Sequence, residues 1–378
     1  MKQRAAGNAA QTYRNRRRAV ARRVQRTTSA DAAVILNGAD IRYLSGSTEG
    51  VSALLFGSDW AAVFTSRMFR DRVPRECPGC EAVVCTRSML AEAAERLEAR
   101  GCASVGFQEG KTTLGQYRGL CRAIGKKRLR EMADAVAVVR SVKEPGELRH
   151  MRRAVRIAER GFRELLAGGA KGFVGRSERD LAAELEYRMR MAGAESQAFP
   201  GGIIVASGPD SAGCHHRPTT RKVRWGEPVL FDWGALVDGY RSDITRVVFV
   251  GDVPAKFREM YAIVLEAHDA AVDAMRPGVQ VRSLDRIARG VIVRAGHGEA
   301  FRHGLGHGIG LEVHEPLRSG TAPGRPDRLR KHMVMTIEPG IYFDGIGGVR
   351  IEDDILVTAD GHERLNSLPR SLNRMIVR

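Results

Sequence analysis

No apolar run in this 378-residue chain approaches the roughly 20 residues that a membrane-spanning helix needs, so no membrane span is expected. A disulfide framework is lacking too. Six cysteines are too thinly spread for a stapled scaffold, and reduced thiols are expected. Their one cluster, Cys77-Pro-Gly-Cys80 with Cys85 nearby, has no second ligand pair at the spacing a structural zinc site requires, and it reads as a surface loop. Aromatic residues make up only 6% of the chain, and none interleaves with a basic stripe. The net charge of +17, from 61 Lys and Arg against 44 Asp and Glu, therefore reads as solubility and arginine bias, with no nucleic-acid partner expected. Residues 1 to 30 contain no acid and nine Lys or Arg, but they lack the apolar stretch of a secretory signal. They are read as a basic, frayed arm over residues 1–29, and the cytoplasm is the expected location.

What is present points to two domains of α+β character. Between residues 30 and 141, AAVILNG, VSALLFG, WAAVFTS and GCASVGF read as strands, while MLAEAAERLEARG and a basic stretch at 114–123 read as helices. This is a small α/β domain. Near residue 142 the texture changes. Glu144-Pro-Gly-Glu147 opens a long helix with Leu148, Met151, Ala154, Ile157 and Phe162 on one side. Ser177-Glu-Arg-Asp180 is a capping-box start for a second helix through Met191. A strand IIVAS, the loop GPDSAGCHHRPTT, helices near 255–275 and 283–295, and a strand-rich part at 333–358 complete a domain over 142–378.

The chemistry concentrates in this second domain. In FDWGALVDGYRSDITRV, Asp232 and Asp243 stand eleven residues apart around an Asp-Gly turn signal. A hairpin centred between Val237 and Asp238 sets them opposite each other, and a one-residue slip of register stays open. Facing carboxylates need a proton or a cation between them, whereas two solvated aspartates on an exposed hairpin need neither. Three later stretches supply partners. In Arg302-His-Gly-Leu-Gly-His-Gly-Ile-Gly310, glycine takes every second position from 304, so His303 and His307 are not a helical pair. His314 follows in EVHEP. Glu338 ends the strand VMTIEPG, and alternation in GGVRIEDDI puts Arg350, Glu352 and Asp354 on one face. Asp232, Asp243, His307, Glu338 and Glu352 form an oxygen-rich, hard donor set suited to Mn²⁺ and usable by Fe²⁺, Co²⁺ or Zn²⁺. Their four negative charges balance two divalent ions, the arrangement of a two-metal hydrolytic site.

The motifs DWGALVDGYRSDITR, HGLGHGIGLEVHEP, TIEPG and GGVRIEDD, with GADIRYLSGSTEG at 38–50, resemble in wording and order the pita-bread metallopeptidase family. The branch they resemble is that of the Xaa-Pro aminopeptidases and prolidases, with a creatinase-like N-terminal domain. The resemblance implies that Asp232 chelates one metal, His307 and Glu338 hold the other, and Asp243 and Glu352 bridge both. It further implies that Glu338 assists proton transfer and that His215 and His314 hydrogen-bond the substrate around the scissile carbonyl. His303 would line the proline-side pocket. Arg350 would orient the bridging glutamate or meet the substrate's C-terminal side. Departures at Cys214-His215-His216 and at Phe199-Pro-Gly-Gly-Ile203 leave open which of His215 and His216 faces the metals. The expected substrates are peptides with proline at the second position, and the resemblance implies a homodimer. Aminopeptidase action on longer peptides is favoured over a dipeptidase, with a non-catalytic binding module, a metal-free creatinase-like enzyme or another metal-dependent hydrolase as the competing readings.

Overall fold

The short apolar runs of the first third become strands because each is flanked by glycine or polar turn residues and is too short for a helix. The computed structural model describes residues 2–318 and 327–378, and the chain divides into two units, Met1–Arg140 and Ser141–Arg378. The first unit runs α1 (Lys2–Thr28), β1 (Ala32–Ile35), α2 (Gly38–Ser45), β2 (Val51–Phe56), β3 (Ala61–Thr65), α3 (Val73–Glu76) and β4 (Glu81–Val84). It continues with α4 (Met89–Ala99), β5 (Val105–Phe107), α5 (Leu114–Ile124), β6 (Leu129–Glu131) and α6 (Ala135–Arg140). Its mixed sheet has the order β4-β3-β2-β1-β5-β6.

Two expectations for this unit need correction. Residues 2–28 are a helix and not a frayed arm. The stripe that docks it is Arg16, Arg17, Val20 and Val24, all buried, with Arg16 donating to Tyr43 O (3.0 Å) and Arg17 to Leu44 O (2.7 Å). Arginine is a good helix former that buries its stem while its head finds carbonyls, so the apolar pattern alone does not reveal such a face. Cys77-Pro-Gly-Cys80 is likewise no surface loop at its first residue. Cys77 is buried, and Arg17 reaches Cys80 Sγ at 3.3 Å.

The second unit opens with α7 (Pro145–Leu166) and α8 (Glu178–Met191). Both start at capping boxes, Glu144 with Glu147 and Ser177 with Asp180. Then come β7 (Ser196–Gln197), β8 (Ile204–Ser207), β9 (Pro228–Trp233), β10 (Ala235–Val237), β11 (Tyr240–Arg241) and β12 (Ile244–Val250). Helices α9 (Ala255–Asp273) and α10 (Val281–Arg294) follow. The chain closes with β13 (His307–Gly308), β14 (Glu315–Arg318), β15 (Val334–Ile337), β16 (Gly340–Phe343), β17 (Gly347–Arg350), β18 (Asp353–Val357), β19 (His362–Arg364) and β20 (Ile376–Val377).

A four-stranded sheet, β20-β12-β9-β8, divides the unit's core. Strand alternation sends Val205, Val229, Phe231 and Val248 to one face, packed with Phe162, Leu181 and Leu185 of α7 and α8. Ala206, Leu230, Val247 and Phe249 go to the other face, packed with Tyr261, Val264 and Leu284 of α9 and α10 and with Met335 and Ile355 of a second sheet. That second sheet has the order β14-β13-β15-β18-β19. Among the described residues no helix is long and apolar enough to cross a membrane.

Candidate metal centre

The hairpin register differs from the expected one. β10 and β11 pair Val237 with Tyr240, and β9 and β12 pair Asp232 with Thr245, so the turn residues are Asp238 and Gly239. Both have positive φ, 50° and 78°. A β-branched Val237 resists that conformation, and Asp-Gly takes it readily. The turn centre therefore lies one residue later than expected, and the two aspartates are diagonal neighbours, not direct partners. They keep a common face, because the shift preserves the two-residue period. Close approach of the hairpin arms depends on Gly234, where a Cβ would stand 1.8 Å from Ser242 O.

The glycine-rich run supplies the third donor. His307 begins β13, next to β15, and a Cβ on Gly306 would meet Thr336 O at 2.0 Å. His307 is held through its backbone N–H, which donates to Thr336 Oγ1 (3.0 Å), and through Nδ1, which lies 3.1 Å from Gly308 O. A carbonyl can only accept, so Nδ1 carries a hydrogen, and Nε2 is the ring atom turned to Asp243 Oδ2 (3.6 Å) and Glu338 Oε1 (3.5 Å). Glu338 directly follows β15. Glu352 lies between β17 and β18, with its backbone N–H donating to Thr245 O (3.2 Å) and its Oε2 accepting from Thr245 Oγ1 (2.6 Å). The structure thus brings Asp232, Asp243, His307, Glu338 and Glu352 into one pocket of about 990 Å³, together with His215, His303, His314 and Arg350.

Its electrostatics are those of crowded acids. Burial and the neighbouring carboxylates, Glu352 and Asp232 foremost, push Asp243 far above the ordinary aspartate range. Burial, then Glu338 and Asp232, do the same to Glu352. One oxygen of Asp232 (Oδ1) and one of Asp243 (Oδ1) are buried and accept no hydrogen bond from any described residue. Such oxygens cost about 1–3 kcal/mol each unless something satisfies them. An imidazole nitrogen among carboxylates, two orphaned oxygens and acids held near one another fit a cation, and Asp243, His307 and Glu352 can hold one within a common 4.8 Å span.

Arg350 is only 2% exposed and spends its fork on protein groups. It donates to Asp232 Oδ2 (2.6 Å), Thr245 Oγ1 (3.0 Å), Tyr342 OH (3.0 Å) and Cys214 O (3.4 Å). It meets Asp232 directly and reaches Glu352 only through Thr245. Burial alone would lower its pKa, yet Tyr342, Asp232, Glu352 and Glu338 together hold it above the usual guanidinium range. From Arg350 a chain of bonds continues to His303, whose Nε2 accepts from Tyr342 OH (2.8 Å) while Nδ1 donates to Gly304 O (2.9 Å). Burial, then the nearby Arg350, push His303 down to about 4, so its imidazole is neutral at pH 7 and offers the pocket its ring edge. His314 packs edge-to-face on His307 with centroids 4.3 Å apart.

His215 and His216 differ in what holds them. His216 Nε2 is taken by Glu178 Oε2 (2.8 Å), which also accepts from Thr219, whereas Glu178 Oε1 accepts from Ser207. Both histidines line the pocket, and His215 makes no hydrogen bond to another described residue. Tyr342, Thr245 and Arg241 of the pocket region carry no motif signal strong enough to single them out from the sequence. The only hint for Tyr342 is that a buried phenol needs a polar partner.

The sequence of residues 149–359 matches the model for metallopeptidase family M24, and residues 16–142 match the creatinase/prolidase N-terminal domain. The chain belongs to metallopeptidase family M24, in its Xaa-Pro peptidase branch. This M24 chain is 36% identical to a Xaa-Pro dipeptidase of Pyrococcus horikoshii, over 91% of its own length and 95% of the relative's. A Xaa-Pro dipeptidase from Bacillus anthracis superimposes with a TM-score of 0.89 at 33% identity, covering 97% of this chain and 100% of that one. An X-Pro aminopeptidase from Thermotoga maritima does so with a TM-score of 0.84 at 34% identity, covering 94% and 100%. The M24 pocket is therefore that of a metallopeptidase with a pita-bread catalytic fold.

Proposed function

We propose that this protein is a dinuclear metal-dependent Xaa-Pro dipeptidase, cleaving the amide bond between an N-terminal residue and a C-terminal proline. The observation that carries the hydrolytic reading is the convergence of four carboxylates and His307 Nε2, with Asp232 Oδ1 and Asp243 Oδ1 accepting no hydrogen bond from any described residue. The sequence alone weighs towards aminopeptidase action on longer peptides. Relatives named as Xaa-Pro dipeptidases or prolidase, matched along almost their whole length, weigh the other way.

Asp232, Asp243, His307, Glu338 and Glu352 would hold two divalent ions, with Mn²⁺ best matched to so oxygen-rich a donor set. When bound, such ions lower the pKa of a water and polarise the substrate carbonyl. The protein's own groups supply the rest. Glu338, at the lip of β15, takes the proton of the attacking water and returns it to the proline nitrogen. That nitrogen has no hydrogen of its own and must gain one to leave as an amine. His215 and His314 donate to the carbonyl oxygen as charge develops on it. His303, with both ring nitrogens engaged, offers the apolar proline ring a carbon edge. Arg350 acts through Asp232, fixing one carboxylate oxygen and leaving the other for the metal. The reading is tested by mass analysis of products from Ala-Pro and from Ala-Pro-Xaa peptides with the Mn²⁺-loaded protein. Cleavage of the dipeptide alone is expected. Release of alanine from the longer peptides restores the aminopeptidase, and no cleavage of either excludes both.

A further inference from the structure

Arg241 stands on the pocket wall, at the end of β11 and two residues before Asp243. Its side chain is held by two backbone carbonyls, Nη1 donating to Ala198 O and Nε to Leu311 O (3.3 Å), while its own N–H donates to Gly310 O (2.9 Å). The fork is therefore fixed in place. What it lacks is an anion. Among the described residues no carboxylate lies within 4.0 Å of the guanidinium, and Nη2 donates to nothing. The more deeply buried arginines of this unit are treated differently. Arg350 is paired with Asp232 at 2.6 Å, and Arg246 with Asp353 at 2.6 Å. Burial depresses Arg241, and Glu312 and Glu195 oppose this without forming an ion pair with it.

A guanidinium remains charged in such a setting, and its planar fork matches a carboxylate two bonds at a time. Two divalent ions would balance the charge of Asp232, Asp243, Glu338 and Glu352, so a substrate carboxylate needs a cation of its own. A guanidinium on the wall of the same pocket gives it somewhere to dock. Arg350 is less suited, because four of its five N–H donors are engaged and its charge is paired with Asp232.

We propose that Arg241 is the anion anchor of the substrate pocket, taking a carboxylate of the substrate. This deepens the peptidase reading and rests on it. Two carboxylates on an Xaa-Pro substrate meet the description: the free C-terminal group of the dipeptide, and the acidic side chain of Asp or Glu before proline.

The test compares kcat/KM of the Mn²⁺-loaded wild type and the Arg241→Gln variant on Ala-Pro, Ala-Pro amide, Glu-Pro and Glu-Pro amide. Calorimetric binding of the products proline against prolinamide, and glutamate against glutamine, runs beside it. If Arg241 takes the C-terminal carboxylate, the preference of the wild type for Ala-Pro over its amide falls roughly 10- to 100-fold in the variant, the span of a charge-assisted pair. If it takes the acidic side chain, the preference for Glu-Pro amide over Ala-Pro amide collapses by that factor instead. A uniform fall on all four substrates, or no fall, overturns the proposal and leaves Arg241 as a buttress of the Ala198 loop. Should the wild type cleave none of the four, the peptidase reading fails. The binding arm then decides the anchor separately, since an anchor still prefers proline to prolinamide or glutamate to glutamine and loses that preference with Arg241→Gln. Equal binding of acid and amide by the wild type overturns it.

Discussion

The donors of the cup are not interchangeable, because each is tied to a different neighbour. Asp243 has one oxygen beside His307 Nε2 and another that no described residue satisfies, so removing its charge takes away the group with most to offer a metal. Asp243→Asn should abolish turnover and reduce bound metal, measured by elemental analysis of the purified variant; full metal content would move the bridging role elsewhere. His314 meets His307 ring to ring, edge to face. His314→Ala should keep its metal and lose roughly 10²- to 10³-fold in kcat, the usual cost of a lost oxyanion donor. Loss of metal as well would make His314 a ligand. That these acids and His307 would gather in one pocket was legible in the sequence, because each sits where an acid or imidazole looks out of place: a strand end, a glycine run, an apolar alternation. Tyr342 and Thr245 were not. An aromatic in GIYF and a threonine in DITRV are ordinary strand residues until the fold shows what their hydroxyls touch.

Elements bring these residues together by close approach of backbone, and glycine is the means. The alternating glycines of 304–310 read as backbone able to bend tightly, and Gly306 shows against what: a Cβ there would penetrate Thr336 O of β15. Because that oxygen belongs to a strand already paired with β18, it cannot yield easily. Gly306→Ala should displace β13 from β15, destabilise the protein by about 1–3 kcal/mol and shift His307 away from Asp243. Reduced metal occupancy alongside a lower Tm is the expected signature. Unchanged metal content would show that β13 can move without its histidine. The hairpin gives the converse lesson. Its Asp-Gly turn was present in the sequence and fixes the register at Asp238-Gly239, but a centre chosen to bring Asp232 opposite Asp243 displaced it by one residue. Helix α1 was missed for another reason. Its docking face includes arginines, and periodicity of apolar residues does not register a buried guanidinium whose partners are distant carbonyls.

Over the whole molecule, the two-unit organisation was legible from the change of texture near residue 142, because helix caps and strand lengths are local properties. The consequence of gathering acids was not, since it depends on contacts across more than a hundred residues of sequence, as between Thr245 and Glu352. That consequence is a stability linked to both metal and pH. In metal-stripped protein, Asp243 and Glu352 have folded-state pKa values above their unfolded ones, so the folded state binds more protons than the unfolded state. Their favourable contribution is full below the unfolded carboxylate range near pH 4 and is lost as pH rises through the elevated folded values. The Tm of the metal-stripped protein should therefore fall as pH is raised from about 5 to 8. Saturating Mn²⁺ should raise the Tm and flatten that slope, because ions bound only by the folded state stabilise it by about 2.7 kcal/mol at a hundredfold excess over Kd and replace the protons. Calorimetric scans with and without chelator at several pH values measure both effects. A metal-stripped protein whose Tm is indifferent to pH would mean that the carboxylates spread apart when the metal leaves, and the cup would then be assembled by its ions and not by the fold.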